Sequence, residues 1–264
     1  MDKIIPIEGG LGAQILTYTI INHFLKLGTP IKVDLRYFQN IPKIAEVGNG
    51  LSYFKWELDY FGIDINSLKN HTQINLIDRI AKNLPLKTHV KDGEAYKLQC
   101  LKESLSNEDW KSLFPIQNDD AVKAQEIIGN NGHIVVHIRK GDFLNVASHV
   151  TTEEMVIALL RKFKGCSISK LIIITDGSIE INRFKSELSF LQDISVHQNI
   201  NNMLSHAIMR KASILITSNS QFSLTAGLLN DSGLVIIPKK WFGTSRKNAK
   251  LEKQLCELGS WNLI

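Results

Sequence analysis

The sequence predicts an α/β protein built on parallel sheet, and three observations carry that reading. Beyond residue 133, strand-sized apolar runs alternate with helix-sized amphipathic stretches, an order that puts parallel strands in one sheet with helices on both faces. The chain opens in the same way, with a short apolar run, a glycine turn, a helix-length stretch and a second apolar run. Between the two patterns lies a plain break, Gly129-Asn130-Asn131-Gly132. It sets the expected boundary: residues 1–130 form one α/β domain and 131–264 another.

Composition bounds the class. A chain of 264 residues can bury a proper core as one large domain or two small ones. Its 44% hydrophobic and 22% charged content is ordinary for a soluble globular protein. The longest apolar runs, such as Leu171–Ile174 and Leu234–Ile237, are strand-sized, far short of a membrane span. Met1-Asp2-Lys3-Ile4 lacks the apolar core of a signal peptide. Cys100, Cys166 and Cys256 are odd in number and widely spaced, which suits a reducing compartment. A cytoplasmic protein is expected. The net charge of +5 favours anionic partners, and much of it lies late, at Lys239, Lys240, Arg246, Lys247, Lys250 and Lys253. Such a run is a solvated helix face or a dock for anionic lipid or a pyrophosphate-linked acceptor, placing the protein peripherally at the inner face of the plasma membrane. Nucleic acid is not expected, because no aromatics interleave with the basic residues.

Taken in order, residues 3–8 read as a strand and Ile15 to Leu27 as a helix stopped by Gly28-Thr29-Pro30. Between them stand Gly9-Gly10-Leu11-Gly12-Ala13-Gln14. This turn either packs the helix on the strand or offers backbone N–H groups and a helix start to an anion. It is not a dinucleotide fingerprint, since Ile15 occupies the third glycine position. Glu8, beside it, is a surface residue or a base. Ile31 to Leu35 is a second strand. From Tyr37 to about Gln117 periodicity is poor, and Tyr53, Phe54, Trp56, Tyr60 and Phe61 cluster as core or as a platform for a sugar ring. Residues 119–128 read as a helix.

In the second half, strand 133–139 precedes a helix opening at Thr151, with Glu154 at capping-box spacing. Strand 170–175 leads through Asp176-Gly177-Ser178 into an amphipathic helix carrying Ile181, Phe184 and Leu188. A short strand at 194–197, a helix at 202–211 and a strand at 213–217 follow. Ser218-Asn219-Ser220-Gln221-Phe222-Ser223 then open a helix to about Leu229. Strand 234–237 ends at Pro238, and a last helix covers about Arg246 to Leu258.

In open α/β sheets ligands bind beyond the carboxyl ends of strands, so the polar exits 137–142, 176–178 and 218–223 can line one cleft. Val136-His137-Ile138-Arg139-Lys140-Gly141-Asp142 is the densest of them. Alternation puts His137, Arg139 and Gly141 on one face and Ile138 and Lys140 on the other. Arg139 is a planar charged fork suited to phosphate oxygens, and Gly141 allows close backbone approach. Asp142 is a base or a turn anchor. Ser220 and Ser223 suit a phosphate or cap the helix. Asp176 holds a base or a ribose, or caps the helix after it.

Together these stretches resemble glycosyltransferase family 11, the α-1,2-fucosyltransferases. Gly-Gly-Leu-Gly-x-Gln before an apolar helix is similar to the family's opening, and His137-x-Arg139-x-Gly141-Asp142 to its first motif. Ile174-Thr175-Asp176, Asn219-Ser220-Gln221-Phe222-Ser223 and Val235-Ile236-Ile237-Pro238-Lys239-Lys240-Trp241-Phe242 follow in the family's order and spacing. The likeness covers 9–27 and nearly all of 133–242. The chain departs from the pattern at Ala13, where Asn is usual, at Leu224 and Thr225, where paired tryptophans are usual, and at Ser205-His206, where an acidic residue is usual.

The resemblance implies two facing, doubly wound domains of the GT-B kind, with the nucleotide in the second. It implies GDP-fucose as donor substrate, no cofactor, and an inverting transfer to O-2 of a galactoside. The acceptor would be a galactose-terminated glycan or a lipid-linked oligosaccharide in surface polysaccharide or O-antigen synthesis. His137 is expected at the guanosine, Arg139 at the β-phosphate, and Ser220, Phe222 and Ser223 over the diphosphate. Gly9, Gly10, Gly12, Gln14, Lys140, Gly141 and Asp176 complete the expected donor site. Inversion needs a base; Asp142 comes first, then Glu8 and His149. No Asp-x-Asp occurs, so no metal-bridged sugar nucleotide is implied, and no Walker, G-x-S-x-G or H-E-x-x-H motif points to other chemistry. A non-catalytic sugar-nucleotide or carbohydrate binder, or a transferase with another donor, are the competing readings.

Overall fold

Turn residues and apolar runs cut the first elements. The computed structural model describes residues 3–39, 55–71, 93–106, 108–140, 152–238, 252–257 and 262–263. The chain divides into two units, Met1–Pro115 and Ile116–Ile264. In the first, β1 (Lys3–Pro6) and β2 (Ile31–Asp34) pair in parallel, with Lys3 opposite Ile31. Parallel neighbours need a crossover, which is α1 (Leu11–Lys26). This helix starts before the expected Ile15. The turn is confined to Gly9, at φ +81°, and to the extended N-cap Gly10, and Gly12 joins the first helical turn. Gly28, at φ +64°, lets the chain leave the helix.

A helical turn at Arg36–Gln39, 3-10 stretches at Leu58–Phe61 and Ile65–His71, α2 (Gly93–Leu105) and a 3-10 stretch at Glu108–Leu113 follow. The described members of the aromatic cluster are packing residues. Phe61 meets the fully buried Phe114 edge-on at 5.3 Å, and Trp56 meets Phe38 at 5.3 Å. The Trp56 indole donates to the Ile63 carbonyl at 3.0 Å. Tyr53 and Phe54 lie outside the described residues.

The second unit begins with α3 (Asn118–Ile128). Then come β3 (His133–Ile138), α4 (Glu153–Leu160), β4 (Lys170–Thr175), α5 (Ile181–Glu187) and β5 (Asp193–Gln198). After these run α6 (Asn202–Arg210), β6 (Ile214–Ile216), α7 (Gln221–Leu228), β7 (Leu234–Ile237) and β8 (Asn262–Leu263). The helix expected to close the first domain thus opens the second: α3 turns Ala124 and Ile128 inward and packs on α6. At α4 the cap is Thr152, whose Oγ1 accepts the Met155 N–H at 3.2 Å. The expected Thr151 lies outside the described residues. Of the expected last helix, 252–256 are helical and described.

The six strands are all parallel, in the order β5-β4-β3-β6-β7-β8. The chain therefore reverses direction across the sheet between β3 and β6, a topological switch point. β3 is buried along its whole length. Ile134, Val136 and Ile138 pack with Val156 and Leu160 of α4 and Phe184 of α5. Alternation turns Val135 and His137 to the other face. Burial on both faces explains the near-continuous apolar runs of β3 and β4.

Candidate active site

The register of β3 and β4 sets the site. Ile138 stands opposite Thr175, so Arg139 and Asp176 leave the sheet side by side. Asp176 Oδ2 pairs with Arg139 Nη1 at 3.1 Å, and Asp176 Oδ1 accepts the Lys140 backbone N–H at 2.6 Å. Asp176 therefore ties two strand exits together rather than capping the next helix. Lys140 points to the opposite face from His137, as alternation requires. Its ammonium donates to Glu153 Oε1 of α4 and to the Ser178 carbonyl. That ammonium is committed to holding the β3 and β4 exits. Gly177 makes room for the lysine stem, because a Cβ there would meet Lys140 Cβ at 2.8 Å.

Across the switch point, His137 Nδ1 lies 2.8 Å from Ser218 Oγ, which follows β6. The imidazole is 4% exposed. Burial and then the nearby Arg139 charge push its pKa down to about 4, against a smaller upward pull from Asp176. His137 is thus a neutral ring that presents one N–H donor and one acceptor. Ser220 caps α7, its Oγ accepting the Phe222 N–H at 3.3 Å. Ser223 is fully buried and donates to the Ser218 and Ser220 carbonyls at 3.3 and 3.2 Å. Both hydroxyls therefore brace the loop. With the Phe222 N–H taken by Ser220 Oγ, what the loop offers an anion is the remaining backbone N–H groups that the first turn of a helix leaves without intrahelical acceptors.

Phe222 sits between two imidazoles, 5.7 Å from the His137 ring and 5.5 Å from that of His206 on α6. Thr225 Oγ1 donates to the Phe222 carbonyl at 2.9 Å, so it accepts from His206 Nε2 at 3.1 Å. Burial, reinforced by Arg210, holds the His206 pKa well below its ordinary value. Two of the sequence's departures from the family pattern, His206 and Thr225, are therefore partners of each other. Sequence reasoning passed over Glu153 altogether, and it placed Ser218 in the exit 218–223 and His206 and Thr225 among the departures without giving any of them a role. The Ser218 position beside the Asn-Ser segment was the one available signal; the His206–Thr225 contact spans 19 residues and leaves no local pattern.

In the first unit, Glu8, Gly9, Gly10, Gly12 and Gln14 gather at the start of α1. Glu8 is exposed. Gln14 is fully buried, and its amide is spent internally. Nε2 donates to the Gly9 and Lys55 carbonyls, both at 2.8 Å, and Oε1 accepts the Glu57 N–H at 2.9 Å. Gln14 staples the glycine turn to residues 55–57 and has no N–H left for a ligand. Gly141, Asp142 and His149 lie outside the described residues. Among the described residues, no three His, Cys, Asp or Glu side chains gather as a metal-holding group. An open depression of about 180 Å³, lined by Asn130, Asn131, Lys170 and Asp193, lies at the opposite, amino-terminal edge of the sheet.

No protein-family model and no curated protein sequence matches the chain. Solved structures do. POFUT1 in complex with GDP aligns at a TM-score of 0.50 with 10% identity, over 89% of this chain and 97% of that one. POFUT1 in complex with GDP-fucose aligns at 0.47 with 12% identity, over 88% and 95%. The fucosyltransferase NodZ from Bradyrhizobium aligns at 0.45 with 13% identity, over 87% and 93%. The first of these likenesses extends over nearly the whole chain and shows the fold: α/β with parallel sheets, of the GT-B-like kind.

Proposed function

We propose that the protein is a fucosyltransferase that moves fucose from GDP-fucose to the O-2 of a terminal galactoside, inverting the anomeric centre in one displacement. The observation that carries this reading is the guanidinium of Arg139, fixed by Asp176 at the switch point of a parallel sheet beside the neutral His137 and the start of α7. Switch points are where nucleotides bind in such sheets. POFUT1, which shares the fold, is in complex with GDP. The donor sugar and linkage come from the family 11 resemblance.

In this reading His137 meets the guanosine through Nε2, the ring nitrogen that Ser218 does not engage, and Arg139 takes the β-phosphate. The first amides of α7 share the diphosphate with Arg139, so the departing charge is met by fixed donors and no metal is required. The acceptor hydroxyl loses its proton to Asp142, with Glu8 and His149 as the other candidates. The acceptor is a galactose-terminated glycan or lipid-linked oligosaccharide of surface polysaccharide or O-antigen synthesis, reached by a cytoplasmic enzyme at an anionic membrane. Among the described residues no helix is long and apolar enough to cross that membrane.

Nucleotide binding tests the reading. Calorimetric titration should give saturable binding of GDP and much weaker binding of UDP. The Arg139→Ala variant should bind GDP more weakly with an unchanged circular dichroism spectrum. Equal binding of GDP by Arg139→Ala and wild type would remove the diphosphate from this strand exit.

A further inference from the structure

We infer that Asp176 is a positioning residue that aims the Arg139 guanidinium at the diphosphate and makes no contact with the donor itself; this rests on the role proposed for Arg139. The carboxylate is pinned at both oxygens by different groups, Oδ1 by the Lys140 N–H at 2.6 Å and Oδ2 by Arg139 Nη1 at 3.1 Å. A carboxylate held by one oxygen can rotate, whereas one held by both cannot. The turn that carries it is fixed too. Thr175 Oγ1 donates to the Gly177 carbonyl at 3.2 Å and accepts the Gly177 N–H at 3.1 Å. Lys140, clamped to Ser178 and Glu153, closes the other side of the same unit.

Charge points the same way. A second anion facing a diphosphate repels it, unless a cation stands between and takes both. Arg139 is that cation. A guanidinium carries its N–H donors in one rigid plane, so the ion pair between Nη1 and Asp176 Oδ2 constrains how that plane faces the ligand. The two side chains are 21% and 25% exposed, which keeps the pair partly shielded from solvent screening.

The double-mutant cycle of Asp176→Asn and Arg139→Ala tests this. Asn is isosteric and can still accept the Lys140 N–H, so folding is preserved and checked by thermal melting. In the wild-type background Asp176→Asn should lower kcat roughly 10²-fold, the cost of a misplaced catalytic group. GDP affinity should fall by less than it does in Arg139→Ala, because the guanidinium is misaimed but still present. In the Arg139→Ala background Asp176→Asn should change kcat by less than about threefold, since residues acting as one unit are not additive. Added guanidinium ion should restore part of the turnover of Arg139→Ala and none of that of the double variant. Two multiplying losses, or weaker GDP binding with kcat preserved in Asp176→Asn, overturn the inference while leaving the transferase reading intact. A wild-type protein that binds no GDP and turns over no donor overturns both.

Discussion

At the scale of single residues, the chemistry turns on His137 of β3 and on Arg139 just beyond it. Arg139 is asked to stabilise charge that develops on the departing diphosphate. Losing one such contact costs about 10²–10³-fold in rate. Arg139→Ala should therefore show that loss in kcat with an intact fold. Arg139→Lys should recover little, because an ammonium cannot reproduce a plane that holds Asp176 on one edge. Retention of a tenth or more of the rate by the alanine variant would contradict the assignment. His137 makes a different forecast. It titrates near 6.5 when unfolded and at about 4 in the fold, so between these values the unfolded chain binds the extra proton. Stability is full above 6.5 and falls as pH drops towards 4, by about 3 kcal/mol for this group. His206, lowered in the same direction, adds to the slope. Urea midpoints measured from pH 7 to pH 4 should fall steeply, and more gently for His137→Gln. Equal slopes would place the acid sensitivity elsewhere.

At the scale of elements, the sequence was most legible where the chain repeats strand and helix. The apolar runs of β3, β4, β6 and β7 sit where their spacing put them, because strands buried on both faces have no polar positions to confuse the pattern. Facing of His137 against Lys140 also followed from alternation. Helix starts were harder to read. The beginning of α1 turned on Gly12 entering a helix, and that of α4 on a choice between adjacent threonines. Hydrogen bonds across strand exits were not legible at all. Asp176 and Arg139 are far apart in sequence, and only the register Ile138 opposite Thr175 joins them. Gln14 shows the same limit, since its partners at 55–57 come from an aperiodic stretch. Its three hydrogen bonds are each worth about 1 kcal/mol, and truncation leaves buried groups without partners. Gln14→Ala should lose about 2–4 kcal/mol in urea denaturation, whereas a loss below about 0.5 kcal/mol would deny the staple. Ser220→Ala should remove about 1 kcal/mol as a lost N-cap.

At the scale of the molecule, the two units carry different parts of the proposed chemistry. The second holds every described residue proposed to touch the nucleotide, on a six-stranded sheet whose strand order fixes where a ligand goes. The first offers a glycine turn braced by Gln14 at the start of α1. The base is proposed at Asp142 on chemistry alone, and its test is direct. Asn has the same shape as Asp and a side-chain oxygen that accepts hydrogen bonds but cannot take a proton, so in Asp142→Asn transfer should fall by about 10²–10⁴-fold with the melting temperature unchanged. A rate near wild type would make Asp142 a turn anchor and move the base to Glu8 or His149. The central claim, however, is the reaction. The measurement that tests it most directly is incubation of the purified protein with GDP-fucose, GDP-mannose, UDP-galactose and UDP-glucose, each with and without a galactose-terminated acceptor. GDP release and the mass of the product are followed together. The account predicts GDP release from GDP-fucose with formation of an acceptor heavier by one fucose, linked at O-2. Saturable GDP binding with no turnover of any donor, or turnover with another nucleotide sugar alone, would contradict it.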